Sequence, residues 1–520
     1  MQHLPRIMLA APSSGSGKTM ITCGILEAFC RRGLNPASFK CGPDYIDPMF
    51  HSRVIGTPSR NLDTFFTDPL ITRYLFAKTA KNAGISVLEG VMGFYDGLGG
   101  ISEKASSYDL AAVTDTPVIL VVNARGMSLS VIPLIQGYLN YQKQYGREVI
   151  RGVILNQTTK MTCLLLKDEI EKQTGVRVYG YVPRLDDAAV ESRHLGLVTP
   201  GEIADMKVRL ARLGEELEQC LDLDGLIALA QKASDFADEE LVLPECVRVC
   251  VENQKSSGNI AESDKETSRM DGIVFQEKHD ARSEYSGARI AVAQDEAFCF
   301  YYQDNLELLE LLGATLVPFS PLKDTALPEQ IGGLILGGGY PELYARQLSE
   351  NKSMLQSIRA AIADGLPYLA ECGGFMYLHE TMEDMDGTAW PMCGCIQGQS
   401  YRTKKLGRFG YISLRLNGSE WEEERPRMVS DIKKRKIAQQ VSGFLLPDET
   451  IRAHEFHYFD STDPGSAYTA EKPNGKRTWN CMHVTDHSAA GYPHLYYWSN
   501  PEFAARFLYR VNYVQRMPAE

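Results

Sequence analysis

The chain of 520 residues lacks several features at once. No apolar run approaches the ~20 residues that cross a bilayer. The N-terminus, Met1-Gln2-His3-Leu4-Pro5-Arg6, has no basic stretch followed by an apolar core, so no secretory leader is expected. The 12 cysteines include no Cys-x-x-Cys pair. Neither Cys246/Cys250 nor Cys393/Cys395 comes with histidine at zinc-finger spacing, which argues against a zinc ribbon or a disulfide scaffold. Basic excess is also absent. Lys plus Arg is 54 against 66 Asp plus Glu, a net charge of −12, which makes nucleic acid and anionic membrane poor expected partners. No internal repeat is visible. A reduced, cytoplasmic, globular protein of two to four domains is the expectation, given 44% hydrophobic and 23% charged residues.

What is present is alternation. Short Val/Ile/Leu-rich runs at Arg6–Ala10, Ala37–Lys40, Ile85–Val91, Pro117–Asn123, Val149–Asn156 and Val176–Val182 are separated by helix-length segments. That is the pattern of a parallel sheet covered on both faces. From Ala233 to Ser286 the chain turns polar and charged. Strands are then expected at Ala288–Gln294, Thr315–Ser320, Gly333–Leu336 and Pro367–Glu371, with a helix over Asn305–Leu312 and one long helix from Leu343 to Asp364. The expected fold is α/β in two domains, joined by a polar linker at 233–287. A doubly wound, mostly parallel P-loop domain occupies 1–232, and a second α/β domain occupies 288–520. The charged run Glu420–Gln440, with Lys433-Lys434-Arg435-Lys436, reads as a solvated insertion.

Two stretches carry chemistry. Between the first strand and the first helix lies Ser13-Ser14-Gly15-Ser16-Gly17-Lys18-Thr19, a P-loop variant with Pro12 where the strict pattern has glycine. Ser14, Gly15 and Gly17 would let backbone N–H groups converge on phosphate oxygens. The helix that follows adds its positive end, Lys18 adds a charge, and the Thr19 hydroxyl can hold Mg²⁺. Lys40–Pro48 and Glu89–Gly97 follow the next strands, where ligands of doubly wound sheets collect. Asp47 and Glu89 are hard-oxygen candidates for the same metal as Thr19.

The second stretch is Tyr368-Leu369-Ala370-Glu371-Cys372-Gly373-Gly374. A strand ending in Cys-Gly-Gly before a helix presents a nucleophile on a sharp turn, and the helix N-terminus is expected to lower the thiol pKa. Upstream, Leu336-Gly337-Gly338-Gly339-Tyr340-Pro341 supplies backbone N–H groups for an oxyanion, with Gly338, Gly339 and Gly373 as candidates. His494 is the candidate base, and His454 and His457 are its rivals.

The second domain resembles the class I (triad) glutamine amidotransferases. The first resembles the dethiobiotin synthetase-like P-loop amide ligases. Their order in one chain, with Glu191–Leu197, Asp295–Tyr302 and His454–Tyr458, resembles the cobyrinate a,c-diamide synthase family. The resemblance implies hydrolysis of L-glutamine at Cys372 with His494 as base. It implies ATP- and Mg²⁺-dependent phosphorylation of a carboxylate, and amidation by the released ammonia. It assigns Lys40 to the nucleotide and Asp44, Tyr45 and Arg193 to a tetrapyrrole substrate such as cobyrinate. A locally basic cleft (Lys18, Lys40, Arg193) is therefore expected in a globally acidic chain, with a homodimer as a candidate assembly. The position two after His494, a carboxylate in typical triads, is Tyr496, so a Cys–His dyad is expected. A Ni-sirohydrochlorin amidase, the enzyme amidating the remaining corrinoid side chains, and a P-loop ATPase with an inactive amidotransferase domain are the alternatives.

Overall fold

The computed structural model describes residues 1–184, 200–238, 241–244, 247–248, 287–417 and 444–516. Glu191–Leu197, most of the expected linker and the basic run at 433–436 lie outside the described residues. Internal contacts divide the chain into two units, Met1–Val242 and Leu243–Glu520. No helix among the described residues is long and apolar enough to cross a membrane.

The first unit is built on seven strands: β1 (Arg6–Ala10), β2 (Pro36–Cys41), β3 (Ser59–Leu62), β4 (Ile85–Glu89), β5 (Val118–Asn123), β6 (Ile150–Asn156) and β7 (Arg177–Val182). Their order is β3-β2-β4-β1-β5-β6-β7. Every pairing is parallel. Central strands β1 and β4 are buried along their whole length, as strands covered on both faces must be. The six expected strands are present: β1 with the expected bounds, β2 one residue longer at each end, and β4, β5, β6 and β7 one or two residues shorter. Edge strand β3, with sequence Ser-Arg-Asn-Leu, has no apolar run and gave no sequence signal.

Residues at 234–236, where the linker was expected to begin, are pinned to this unit. Arg6 is fully buried. Its guanidinium donates to the carbonyls of Thr114 (2.9 Å), Leu4 (2.9 Å), Ser234 (2.8 Å) and Asp115 (3.2 Å). It also lies 4.5 Å from the centroid of the Phe236 ring.

The second unit holds a six-stranded sheet in the order Thr315–Phe319, Arg289–Ala293, Gly333–Leu336, Tyr368–Glu371, Ser488–Gly491, His483–Thr485. Its first five strands are parallel and the last pairs antiparallel. A four-stranded mixed sheet and a five-stranded antiparallel sheet add to it. Both escaped the sequence reading, because their strands mix polar, charged and aromatic residues rather than forming Val/Ile/Leu runs. The long helix expected from Leu343 to Asp364 is also corrected. It is a 3₁₀ turn (Pro341–Tyr344) followed by helices Ala345–Glu350 and Lys352–Ala363. Asn351 breaks it: its backbone leaves helical geometry (φ −79°, ψ 62°), and its side chain caps the next helix by accepting from Met354 N–H.

Arg6→Met should strand several buried carbonyls at once. The expected loss is at least about 3 kcal/mol from the first unit's stability, at about 1–3 kcal/mol per orphaned group, read from its transition in urea. A loss under about 1 kcal/mol would show that these carbonyls find other partners.

Candidate active sites

The first site grows from the carboxyl ends of β1, β2, β4 and β6. β1 ends at Ala10 and helix α1 (Lys18–Arg31) begins at Lys18, with Ser14 and Gly15 exposed between them. Gly17 has φ +86°, and a Cβ there would stand 2.4 Å from Nδ2 of Asn156. That amide donates to Ser16 O at 2.8 Å, so the last residue of β6 holds the loop in shape. Asn156 was not foreseen, because one asparagine at a strand end carries no motif.

Lys18 Nζ donates to the carbonyls of Met92 (2.6 Å) and Ser13 (3.2 Å). Burial, then the charge of Lys40, depresses it to about 8. The Thr19 hydroxyl donates to Glu89 Oε1 at 2.5 Å. Lys40 and Glu89 are register partners across β2 and β4. Lys40 Nζ donates to Glu89 Oε1 at 2.7 Å and to Asp47, and stands 3.8 Å from Asp44. Burial alone would strip the Lys40 charge, but these carboxylates hold it protonated.

Asp44 lies just before helix α2 (Ile46–Phe50) and accepts from the N–H groups of Ile46 (2.8 Å) and Asp47 (3.3 Å). Burial, then Asp47, raises the Asp44 carboxyl to about 6. Tyr45, beside it, is nearly buried. His51, also unforeseen, is fully buried with Nδ1 3.1 Å from Ser38 Oγ and Nε2 3.7 Å from Glu89. Arg193 lies outside the described residues.

No group of three or more His, Cys, Asp or Glu side chains among the described residues forms a ready metal cage. Thr19, Glu89 and Asp47 nevertheless fit magnesium, which takes one or two carboxylates and completes its shell with phosphate and water.

The second site is centred on Cys372, between strand Tyr368–Glu371 and helix Gly373–Leu378. Its backbone is left-handed (φ 47°, ψ −104°), a strained conformation for a residue with a side chain. The Cys372 N–H donates to Gly491 O at 2.8 Å. The glycine loop lies between this turn and the histidine. A Cβ on Gly338 would stand 2.4 Å from His494 Cε1, and a Cβ on Gly373 would stand 3.3 Å from Gly339 N. Tyr301 fixes the loop, accepting from Gly337 N–H at 2.9 Å and donating to Ala293 O at 2.5 Å.

His494 lies on strand His494–Leu495, opposite His454 on strand Ile451–His457, with the two rings stacked 4.8 Å apart. His454 in turn has Nδ1 3.0 Å from the Tyr302 hydroxyl. The other rival, His457, stacks on Tyr492 at 4.2 Å and has Nδ1 2.5 Å from Phe459 O. His494 is thus the histidine that borders the glycine loop. Tyr496 packs on Tyr302, with ring centroids 5.0 Å apart. Beside the thiol, Glu371 accepts from Tyr497 Oη (3.1 Å) and Leu495 N–H (3.3 Å). Burial raises its carboxyl to about 8, so it is largely neutral at pH 7.

The expected lowering of the thiol by the helix end does not occur. Burial pushes Cys372 up, assisted by Glu342, Glu455 and Glu371, and the opposing Gly373 N–H is outweighed. Burial, then His457, drives His494 down to about 3. The ground state is a neutral thiol beside a neutral imidazole, so the sulfur's proton must leave as the nucleophile attacks.

Two family models match this chain. Residues 7–198 match the CobQ/CobB/MinD/ParA nucleotide binding domain, and residues 289–502 the CobB/CobQ-like glutamine amidotransferase domain. The cobyrinate a,c-diamide synthase of Caldanaerobacter subterraneus subsp. tengcongensis is 35% identical over 508 residues, 97% of this chain and 98% of that one. Its Listeria innocua counterpart is 36% identical over 504 residues, 95% of this chain and 97% of that one. The chain belongs to the cobyrinate a,c-diamide synthase family. It is thereby a member of the glutamine-hydrolysing, ATP-dependent ligases, with a nucleotide-binding P-loop domain preceding a glutamine amidotransferase domain.

The raised thiol makes a specific prediction. Iodoacetamide should alkylate ligand-free Cys372 at neutral pH at least about tenfold more slowly than free cysteine, whose pKa is about 8.5. The rate should still be climbing above pH ~9. Site-resolved mass spectrometry reads it, and a rate that levels off below neutral pH would show a stabilised thiolate instead.

Proposed function

We propose that this chain amidates the a and c acetate carboxylates of cobyrinate in succession, using ATP and glutamine, as a cytoplasmic step of cobalamin biosynthesis. The observation that carries the reading is the occurrence of two complete constellations in one chain. One is a loop with Lys18, Thr19 and Glu89 at the head of a helix. The other is a strained cysteine turn whose glycine loop touches His494. A carboxylate is a poor electrophile and needs activation as an acyl phosphate, while ammonia is mostly protonated at neutral pH and is better released locally from glutamine. These two needs call for two such sites.

The ligase reaction is assigned to residues 1–232 and glutamine hydrolysis to 288–520, with 233–287 as the connecting segment. In the ligase, the backbone of Ser14–Gly17 and the Lys18 ammonium hold the phosphates of ATP. Magnesium, held by Thr19, Glu89 and Asp47, supplies charge neutralisation on those phosphates when bound. Lys40 orders the acidic ligands by bridging Glu89 and Asp47. Asp44, Tyr45 and Arg193 are assigned to binding the macrocycle. The carboxylate displaces ADP from the γ-phosphoryl group, and ammonia then displaces phosphate to leave the carboxamide.

In the glutaminase, Cys372 Sγ attacks the amide carbon while its proton passes to His494. The backbone N–H groups of Gly338, Gly339 and Gly373 receive the developing oxyanion. His494 returns the proton to the departing ammonia, and water frees glutamate from the thioester. His494 acts as a dyad base, with His454 and Tyr302 behind it rather than a carboxylate.

Cys372→Ala should lose at least about 10³-fold of glutamine-dependent amidation and retain amidation from ammonium salts. Lys18→Ala should lose both. Mass spectrometry of products from cobyrinate and from Ni-sirohydrochlorin, each with ATP and glutamine, reads the outcome. Turnover of the nickel macrocycle alone would replace the corrinoid reading, and absence of glutamate release by the wild type would overturn the glutaminase reading.

A further inference from the structure

Beside the P-loop lies a pair of tyrosines that the phosphate-binding reading does not use. Tyr138, on helix Val131–Lys143, donates its hydroxyl to Pro12 O at 3.0 Å. Tyr95 lies nearly flat against it, with ring centroids 5.5 Å apart and planes 22° apart. The Tyr95 hydroxyl donates to Tyr138 O at 2.8 Å. Burial raises both hydroxyls above the ordinary tyrosine range, so both stay protonated donors. Pro12 stands where the strict P-loop has glycine. Proline has no N–H to give, so its carbonyl is the one polar backbone group by which that residue can be held.

Tyr95 comes from the loop that follows β4, and this loop meets the P-loop at further points. Phe94 N–H donates to Ala11 O at 2.9 Å, and Met92 O accepts from Lys18 Nζ at 2.6 Å. A Cβ on Gly93 would stand 2.7 Å from Pro12 O, so the two loops touch where one of them has no side chain. Met92 has φ +48°, a strained backbone for a residue with a side chain. The contacts close a circuit. Pro12 is tied to Tyr138, Tyr138 to Tyr95, and the Tyr95 loop, through Met92 O, to the P-loop lysine.

Holding the Pro12 carbonyl matters because of peptide geometry. The peptide bonds here are trans, so a carbonyl fixed on one side turns the N–H of the next residue to the other. At the far end of the loop Asn156 takes Ser16 O, which turns the Gly17 N–H away from β6. At the near end Tyr138 takes Pro12 O, which turns the Ser13 N–H away from helix Val131–Lys143. Two side chains from outside the loop thus hold a carbonyl at each of its ends. Without Tyr138 the Pro12 carbonyl would be free to turn toward the phosphates, whose charge it repels.

We propose that Tyr138 is a positioning residue for the nucleotide: its hydroxyl fixes the entry of the P-loop in the shape that receives phosphate, and Tyr95 holds Tyr138 in place. This deepens the phosphate-binding reading above and rests on it. Both tyrosines act through the Pro12 carbonyl.

Tyr138→Phe removes one oxygen and keeps the ring stack. Titration calorimetry with MgATP should show binding weakened about three- to tenfold, the range of one neutral hydrogen bond. In amidation assays KM for ATP should rise by the same factor with kcat changed less than about twofold, and KM for glutamine should stay where it is. Tyr95→Phe should weaken MgATP binding in the wild-type background and add nothing in the Tyr138→Phe background, because both substitutions release the same carbonyl. Wild-type MgATP affinity in Tyr138→Phe would overturn the assignment, whatever happens to the melting temperature. Additive losses from the two substitutions would overturn the role given to Tyr95. If the wild type itself binds no MgATP, the phosphate-binding reading has failed; if it does and Tyr138→Phe binds equally well, only the present inference falls.

Discussion

Both sites depend on the register of parallel strands. Parallel neighbours run the same way, so their carboxyl ends open on one edge of the sheet, and residues leaving those ends are delivered side by side. In the first unit this places Lys40 directly across from Glu89. It also brings the end of β6 to the P-loop, where Asn156 bonds Ser16 O. In the second unit it pairs Glu371 with Gly491. The Cys372 N–H then reaches Gly491 O, and His494 follows three residues later. A slip of one residue in either ladder would turn these side chains to the opposite face. Much of the site geometry is thus already fixed by backbone pairing before any side-chain preference acts.

Desolvation is the second common term, and it works on the two sites differently. Lys18 is only partly stripped, and at about 8 it stays largely charged at neutral pH. Cys372 and His494 are driven in opposite directions, the thiol up and the imidazole down. Each shift favours the neutral form, so the pair stores no charge while it waits. A neutral thiol is not alkylated quickly by stray electrophiles. It becomes reactive only where an amide carbonyl and oxyanion donors make the charged transition state worth forming. The neutral Glu371 next to the thiol serves the same end, since a carboxylate there would oppose the developing negative charge.

The legible parts of the sequence were those with a short-range cause. Apolar runs gave six of the seven strands of the first sheet, and the Gly-Lys-Thr and Cys-Gly-Gly junctions gave the two centres. What escaped had only a long-range cause. Asn156, Tyr301 and His51 are ordinary residues made important by what the fold brings against them. The antiparallel sheet carrying His454 and His494 alternates without long apolar runs, because its two faces meet different environments. The break at Asn351 is local, but capping by an asparagine inside an otherwise helical pattern looks like a helical residue until its backbone is seen. The helix end behind Cys372 was read correctly as geometry and wrongly as electrostatics: one short helix cannot offset full burial of a thiol.

In a chain of net charge −12, ATP and a polycarboxylate as proposed ligands invite the expectation of a basic cleft, with Lys40 as a contributor. Lys40 instead bonds Glu89 and Asp47, so its charge is balanced locally, while Lys18 is bonded to carbonyls that a phosphate could replace. The described part of the first site is therefore not simply a cluster of basic side chains. It is an ordered set of acids around one lysine, next to a cradle of backbone N–H groups. On the reading proposed above, such a site would hold phosphate through dipoles and one cation and would take a divalent ion on its gathered acids, an arrangement about which net charge carries no information.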